Sequence, residues 1–134
     1  MTKITDDLII RGNRIKNRIV LVPMVTFSFQ GDNGSYFGKQ HIDYYTERAK
    51  GGTGLIIVQA TRVLGAANAT NMWSPDNIAA LKQIVNNCHS YGATIMIQVS
   101  CGDMDINQLS SDEIFLMQMD MKQAAISACA LGFD

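Results

Sequence analysis

Three unbroken apolar runs decide what this chain can fold into. Residues 18–24, 54–60 and 93–99 are rich in Ile, Val and Leu and lack the polar alternation of a half-solvated sheet. Runs of this kind are strands buried on both faces, as in a parallel sheet covered by helices. The segments between them carry helical period. In 40–50, Ile42, Tyr45 and Ala49 share one face, and Gly51-Gly52 supplies the stop. Ser74-Pro75 opens a second helix, with Ser at N-cap and Pro at N1. Ile78, Leu81, Ile84, Val85 and Cys88 form its buried stripe before Gly92. A capping box from Ser110 to Glu113 opens a third, whose stripe is Ile114, Met117, Met121, Ala124/Ala125, Ala128 and Leu131, ended by Gly132. Met117, Met119 and Met121 alternate, so they cannot all face one core and some sulfur is exposed.

Ahead of these units, residues 8–15 read as a hairpin around a Gly12-Asn13 turn, two residue types that tolerate positive φ. Pro23 cannot donate to a ladder, so the first long strand ends there. The order is a hairpin and three βα units, one partial domain over 1–134 that stops at Phe133-Asp134, where a fourth strand should begin. Three parallel strands cannot close a barrel and leave two edges open. Two architectures meet this description: a small open α/β sheet, or the first part of a (β/α)8 barrel.

Charge and cysteine usage narrow the function classes. Lys and Arg number 11 against 12 Asp and Glu, a net charge of −1. There is no basic cluster of the kind that nucleic acid or an anionic membrane surface requires. No apolar run approaches the roughly 18 residues of a membrane span. Residues 1–7 hold no signal-peptide core, so the cytoplasm is the expected compartment. Cys88, Cys101 and Cys129 are widely spaced, so reduced thiols are expected and no metal site. His41 and His89 lie near a helix start and a helix end, where solvated or capping roles are expected. No Gly-x-Gly-x-x-Gly follows the first strand and no Walker sequence is present, which argues against a dinucleotide fold or a P-loop. The glycines of 31–38 have a different spacing, and that stretch reads as a mobile loop.

In either architecture, ligands lie at the C-terminal ends of the strands. That points to Pro23-Met24-Val25-Thr26, to Gln59-Ala60-Thr61-Arg62 and to Gln98-Val99-Ser100-Cys101. A hydroxyl or amide there can hydrogen-bond a polar heterocycle without placing charge in a dry pocket. The same residue types also serve simply to cap strand ends and loops.

The stretch from Gly12-Asn13-Arg14-Ile15-Lys16-Asn17-Arg18 through Pro23-Met24-Val25-Thr26 resembles the opening of the Old Yellow Enzyme family of NADH:flavin oxidoreductases, which reads G-N-x-x-L-K-N-R-I-v-m-A-P-M-x-T. Tyr44-Tyr45-Thr46-Glu47-Arg48-Ala49-Lys50-Gly51-Gly52 and His89-Ser90-Tyr91-Gly92-Ala93 resemble its next blocks, and Ile114 onwards resembles its Ala-rich helix ending G-F-D. The resemblance implies the N-terminal portion of an FMN-dependent (β/α)8 TIM barrel. It implies that Pro23, Met24 and Thr26 line the flavin ring, with the Thr26 hydroxyl near the reactive edge. By the same carry-over, Ala60 packs its backbone on the ring and Gln98 hydrogen-bonds the pyrimidine end. Hydride would pass from NAD(P)H to flavin and on to a small-molecule acceptor such as an electron-poor alkene. Arg62 is a candidate for touching substrate or a phosphate, or is an ordinary loop residue.

The departures carry equal weight. Where many members read Q-L-x-H-x-G-R, this chain reads Gln98-Val99-Ser100-Cys101-Gly102-Asp103, without the His or the Arg. The family's substrate-binding pair and phosphate loops belong to later strands, so no catalytic residue is assigned. Ring contacts with hydrogen bonds of about 0.5–1.5 kcal/mol each must offset an association cost of at least about 4 kcal/mol. Weak or undetectable FMN binding by the isolated chain is the expectation, together with self-association or a chain that supplies the missing strands. The alternative is a non-catalytic truncated remnant, an interaction module on the same half-barrel scaffold.

Overall fold

The computed structural model describes residues 1–29, 31, 36–62, 74–102 and 105–134. Residues 32–35 of the stretch expected to be mobile, residues 63–73 after β4, and Asp103 lie outside the described residues. The elements run β1 (Leu8–Ile10), β2 (Asn13–Ile15), β3 (Val20–Leu21), α1 (Lys39–Lys50), β4 (Leu55–Arg62), α2 (Pro75–Ser90), β5 (Thr94–Ser100), a 3-10 turn (Ile106–Gln108) and α3 (Ser111–Leu131). β3, β4 and β5 form a parallel sheet in chain order, and β1 pairs β2 antiparallel.

The helix signals act where the sequence puts them. Ser74 Oγ accepts the Asn77 N–H at 3.2 Å with Pro75 at N1. Ser110 and Glu113 form the reciprocal box. Gly132, at φ 96°, closes α3 in the left-handed region. The core packs Ile56, Val58 and Ile95 of the sheet against Tyr45, Ala49, Leu81, Ile84, Val85, Cys88, Ala124 and Ala128 of the three helices. α3 fully buries only Ala124 and Ala128, while Phe115, Leu116, Met119 and Ile126 remain exposed.

Three expectations need correction. The hairpin turns on Arg11-Gly12 and not on Gly12-Asn13: both have positive φ, 49° and 87°, and Asn13 is already paired with Ile10. Two central residues of that kind match the right-handed twist of the strands. The first apolar run forms a ladder only at Val20–Leu21 and is not buried on both faces, since Val20 and Val22 are 45% and 55% exposed. It is the outer strand of the sheet, with β4 on one side only. The second run is expected to end at residue 60, yet Thr61 and Arg62 also belong to β4, because a bulge lets the strand run on.

The N-terminal end of the sheet is sealed by side chains that bond to backbone. Asn17 Nδ2 donates to Gly52 O at 2.8 Å, and Asn17 Oδ1 accepts the Ile19 N–H at 3.0 Å. Lys16 Nζ donates to Tyr91 O at 2.7 Å, and Ile15 is buried beside them. At the other edge, Asp134 N–H donates to Ile95 O at 2.9 Å, and Asp134 Oδ2 accepts the Ile95 N–H at 2.9 Å. Residue 134 therefore lies alongside β5, where a next parallel strand would run. His89, exposed as expected, reaches the same carboxylate at 2.9 Å. Among the described residues no helix is long and apolar enough to cross a membrane.

Candidate functional site

The C-terminal end of β4 is irregular in a specific way. Val58 faces Ile97 and Thr61 faces Val99, so Gln59 and Ala60 together oppose the single residue Gln98. Bulges of this kind re-aim side chains at sheet ends. This one sets Ala60, half-buried, beside Gln98, exposed.

Gln59 itself turns inward and is fully buried. Its Oε1 accepts the Thr26 main-chain N–H at 2.9 Å and the Thr26 hydroxyl at 2.6 Å. Its own main-chain N–H donates to the Tyr45 hydroxyl at 3.0 Å. Its Nε2 is buried without a hydrogen-bond partner. Thr26 Oγ1 lies 2.9 Å from His41 Nε2 as well. These bonds tie the segment after β3 to the end of β4 and to the first turn of α1.

His41 departs from the solvated role expected for it and keeps the capping role. It is fully buried, and Gly38 N–H donates to its Nδ1 at 3.4 Å at the start of α1. The rings of Phe29, Tyr36 and Phe37 surround it at centroid distances of 5.2, 5.6 and 5.1 Å. Burial disfavours its charged form and lowers its pKa. The same burial pushes the Tyr45 phenol up to about 12. It raises Tyr36 too. Asn77, in the first turn of α2, holds this aromatic segment in place: its Oδ1 accepts the N–H groups of Tyr36 and Phe37 at 3.0 and 2.8 Å.

Of the five residues expected at the site, Thr26, Ala60 and Gln98 are thus gathered at one end of the sheet. Pro23, half-buried, and Met24, 59% exposed, precede Thr26 on the segment leaving β3. Arg62 is exposed, but its guanidinium lies over Gly102: a Cβ there would come within 2.9 Å of Cζ, and Gly102 has φ +78°. The arginine thereby spans the ends of β4 and β5. Sequence reasoning missed His41, Tyr45 and Asn77. The available signal was a polar residue, Gln59, closing an otherwise apolar run, since a buried amide demands partners from elsewhere in the fold.

The profile of the NADH:flavin oxidoreductase / NADH oxidase family matches residues 7–113. The chain belongs to this family. It is 34% identical over 104 residues to an NADPH dehydrogenase of Listeria welshimeri, covering 75% of this chain and 30% of that protein. It is 35% identical over 102 residues to an NADPH dehydrogenase of Halalkalibacterium halodurans, covering 73% and 30%. Among solved structures, a variant of NCR from Zymomonas mobilis superimposes with a TM-score of 0.84 at 26% identity, covering all of this chain and 43% of that one. Morphinone reductase gives a TM-score of 0.79 at 21% identity, covering 100% and 48%. This family member therefore spans 30% of the length of those curated relatives and folds as the N-terminal portion of an Old Yellow Enzyme-type (β/α)8 barrel. The family's sequence blocks also have a physical basis here. Lys16 and Asn17 of the opening block are the groups that bond Tyr91 and Gly52 of the later two.

Proposed function

We propose that this chain supplies one wall of an FMN site in an NADPH-dependent oxidoreductase, with Pro23, Met24, Thr26, Ala60 and Gln98 toward the flavin ring. The observation that carries the reading is the bulge of β4. It draws Ala60, Gln98 and, through Gln59, Thr26 to the strand ends where parallel α/β proteins bind ligands. The donor set fits the group: an amide, a hydroxyl and an apolar Pro-Met pair suit a heteroaromatic ring with polar edges and wide faces. Gln98 would hold the pyrimidine edge, and Arg62 is placed to meet substrate or a phosphate. Bound FMN would supply hydride chemistry, and the name NADPH dehydrogenase carried by the relatives supports NADPH as its reductant. The acceptor would be a small electron-poor alkene or a related molecule.

Much of the affinity for FMN resides in its phosphate, which barrels of this kind hold with loops after later strands. The isolated chain would therefore bind FMN weakly. It would also self-associate or pair with a chain carrying those strands, because β3 is an open edge at which Val20, and Val22 just beyond it, are exposed. The test is co-expression with the remaining strands of the Listeria welshimeri relative, read by bound flavin and NADPH oxidation. The expected result is a colourless chain alone and a yellow, NADPH-oxidising complex, with Gln98→Ala weakening flavin retention. A complex that folds yet holds no FMN would overturn the reading in favour of a non-catalytic interaction module. A chain that is yellow and active unaided would overturn the dependence on added strands.

A further inference from the structure

Arg62 is the last residue of β4 and is still in register, with Ser100 as its partner on β5. Side chains alternate along a strand, so past the bulge Arg62 shares a face with Ala60, as Ser100 does with Gln98. Two residues of strand carry it about 7 Å beyond the Ala60 and Gln98 pair. Its guanidinium has a seat there. A Cβ placed on Gly102 would lie 2.9 Å from Cζ, 2.9 Å from Nε and 3.1 Å from Nη2. Near-equal distances from one point to three atoms of a planar group put that point over the face of the plane. The group therefore lies broadside on Gly102, a residue at φ +78° whose missing side chain leaves the room. The N–H bonds of a guanidinium lie in its plane, so this stacking uses none of them. The turn beneath is closed by its own bonds: Gly102 N–H donates to Ser100 Oγ at 3.0 Å, and the Cys101 thiol to Gly102 O at 3.8 Å. Among the described residues the Arg62 side chain makes no hydrogen bond and no ion pair.

We infer that Arg62 is a specificity residue that takes a carboxylate on the acceptor, so that this site favours electron-poor alkenes bearing an acid group over neutral ones. For the reaction itself the inference rests on the flavin reading above, in which Ala60 and Gln98 mark the place of the ring. A cation one step beyond that pair meets a group on the acceptor and not the ring. The planar fork matches the two oxygens of a carboxylate. Its seat on Gly102 orders the side chain before the ligand arrives, which lowers the cost of binding. A phosphate of the nicotinamide reductant offers similar oxygens and is the competing source.

Two measurements test this, the first without any flavin. Benzoate and its neutral counterpart benzamide are titrated into the full, ligand-free chain while the Arg62 Nε–H signal is followed by 1H–15N correlation. Benzoate should move that signal saturably and benzamide should not. Equal responses, or none to benzoate, overturn the proposal. In the strand-complemented complex, kcat/KM is then measured for acetylacrylate, an enone with a carboxylate, and for its methyl ester. Arg62→Gln should lower the acid-to-ester ratio about tenfold, and Arg62→Lys should restore part of it. An unchanged ratio overturns the proposal. So does an unchanged ratio joined to a raised KM for NADPH but not for NADH, which would assign the guanidinium to the phosphate of the reductant. Loss of flavin from Arg62→Gln would overturn it too, by placing Arg62 on FMN. A parent complex that holds no FMN would sink the flavin reading, while the benzoate titration still decides whether Arg62 takes a carboxylate.

Discussion

The two ends of the parallel sheet are built by opposite rules. At the N-terminal end, side chains bond directly to backbone. Asn17 bridges Gly52 and Ile19, Lys16 caps Tyr91, and Gly54 leaves no room for a Cβ, which would lie 2.5 Å from the Asn17 carbonyl oxygen. At the C-terminal end, side chains bond one another as well as backbone. His41, Thr26 and Gln59 form a relay that leaves a buried amide nitrogen unpartnered and sets Met24 and Gln98 out in solvent. The first end is fastened and the second is poised. In parallel α/β architectures the former marks stability and the latter marks ligand chemistry. The contrast shows that the matched sequence blocks serve two different ends of one scaffold.

That contrast can be broken by substitution. Gly54→Ala should have the largest effect, because the Asn17 backbone, as well as its side-chain Oδ1, occupies the space and cannot swing aside; a loss of about 3 kcal/mol is expected in urea unfolding. A midpoint within error of the parent would refute the tight seal. Asn17→Ala removes two bonds, leaving Gly52 O without its donor and the Ile19 N–H without its acceptor, and should cost about 2 kcal/mol by the same measurement.

At the site end the expected effects are smaller and depend on pH. Burial holds the folded-state pKa of His41 below its ordinary value. The unfolded chain therefore takes up the proton first as acid is added. The associated stability is complete above about pH 6.5 and is lost as pH falls from there toward the folded value. The slope can reach at most about 1.4 kcal/mol per pH unit. His41→Gln should flatten this acid limb in thermal melts at pH 7.5 and 5.5, and an unchanged limb would remove His41 as its source. Gln98→Ala, at an exposed position, should shift stability by less than about 0.5 kcal/mol while weakening flavin retention in the complemented complex. Cysteine alkylation gives the smallest readout. Cys129 is exposed, whereas Cys88 is buried with its thiol pushed up to about 12, so Cys88 should react only on unfolding.

The helices were legible because their signals are local. Ser74-Pro75, Ser110 with Glu113, and Gly132 each act on neighbours within one turn, and the structure uses them all. The strand ends were less so. The first apolar run promises a long, doubly buried strand, yet its pairing depends on how far β4 accompanies it and on what covers its outer edge. The turn at Arg11-Gly12 was displaced by one residue because register is set by the pairing of Leu8 with Ile15, not by which residues best tolerate positive φ. His41 reads as a surface capping residue until the rings of Phe29, Tyr36 and Phe37 close around it.

The sequence by itself determined the βα alternation, the caps, the direction of the sheet and the family, since each rests on short-range pattern or on contiguous blocks. Only the tertiary structure decided that Gln59 is the hub of the site end. The bulge opposite Gln98, the reach of Thr26 across to β4 and the burial of His41 bring together residues from 15 to 39 positions apart. A hydrogen bond has direction as well as distance, and which partner donates is fixed when three side chains must satisfy one another in a space that excludes water. No one-dimensional pattern encodes that mutual constraint.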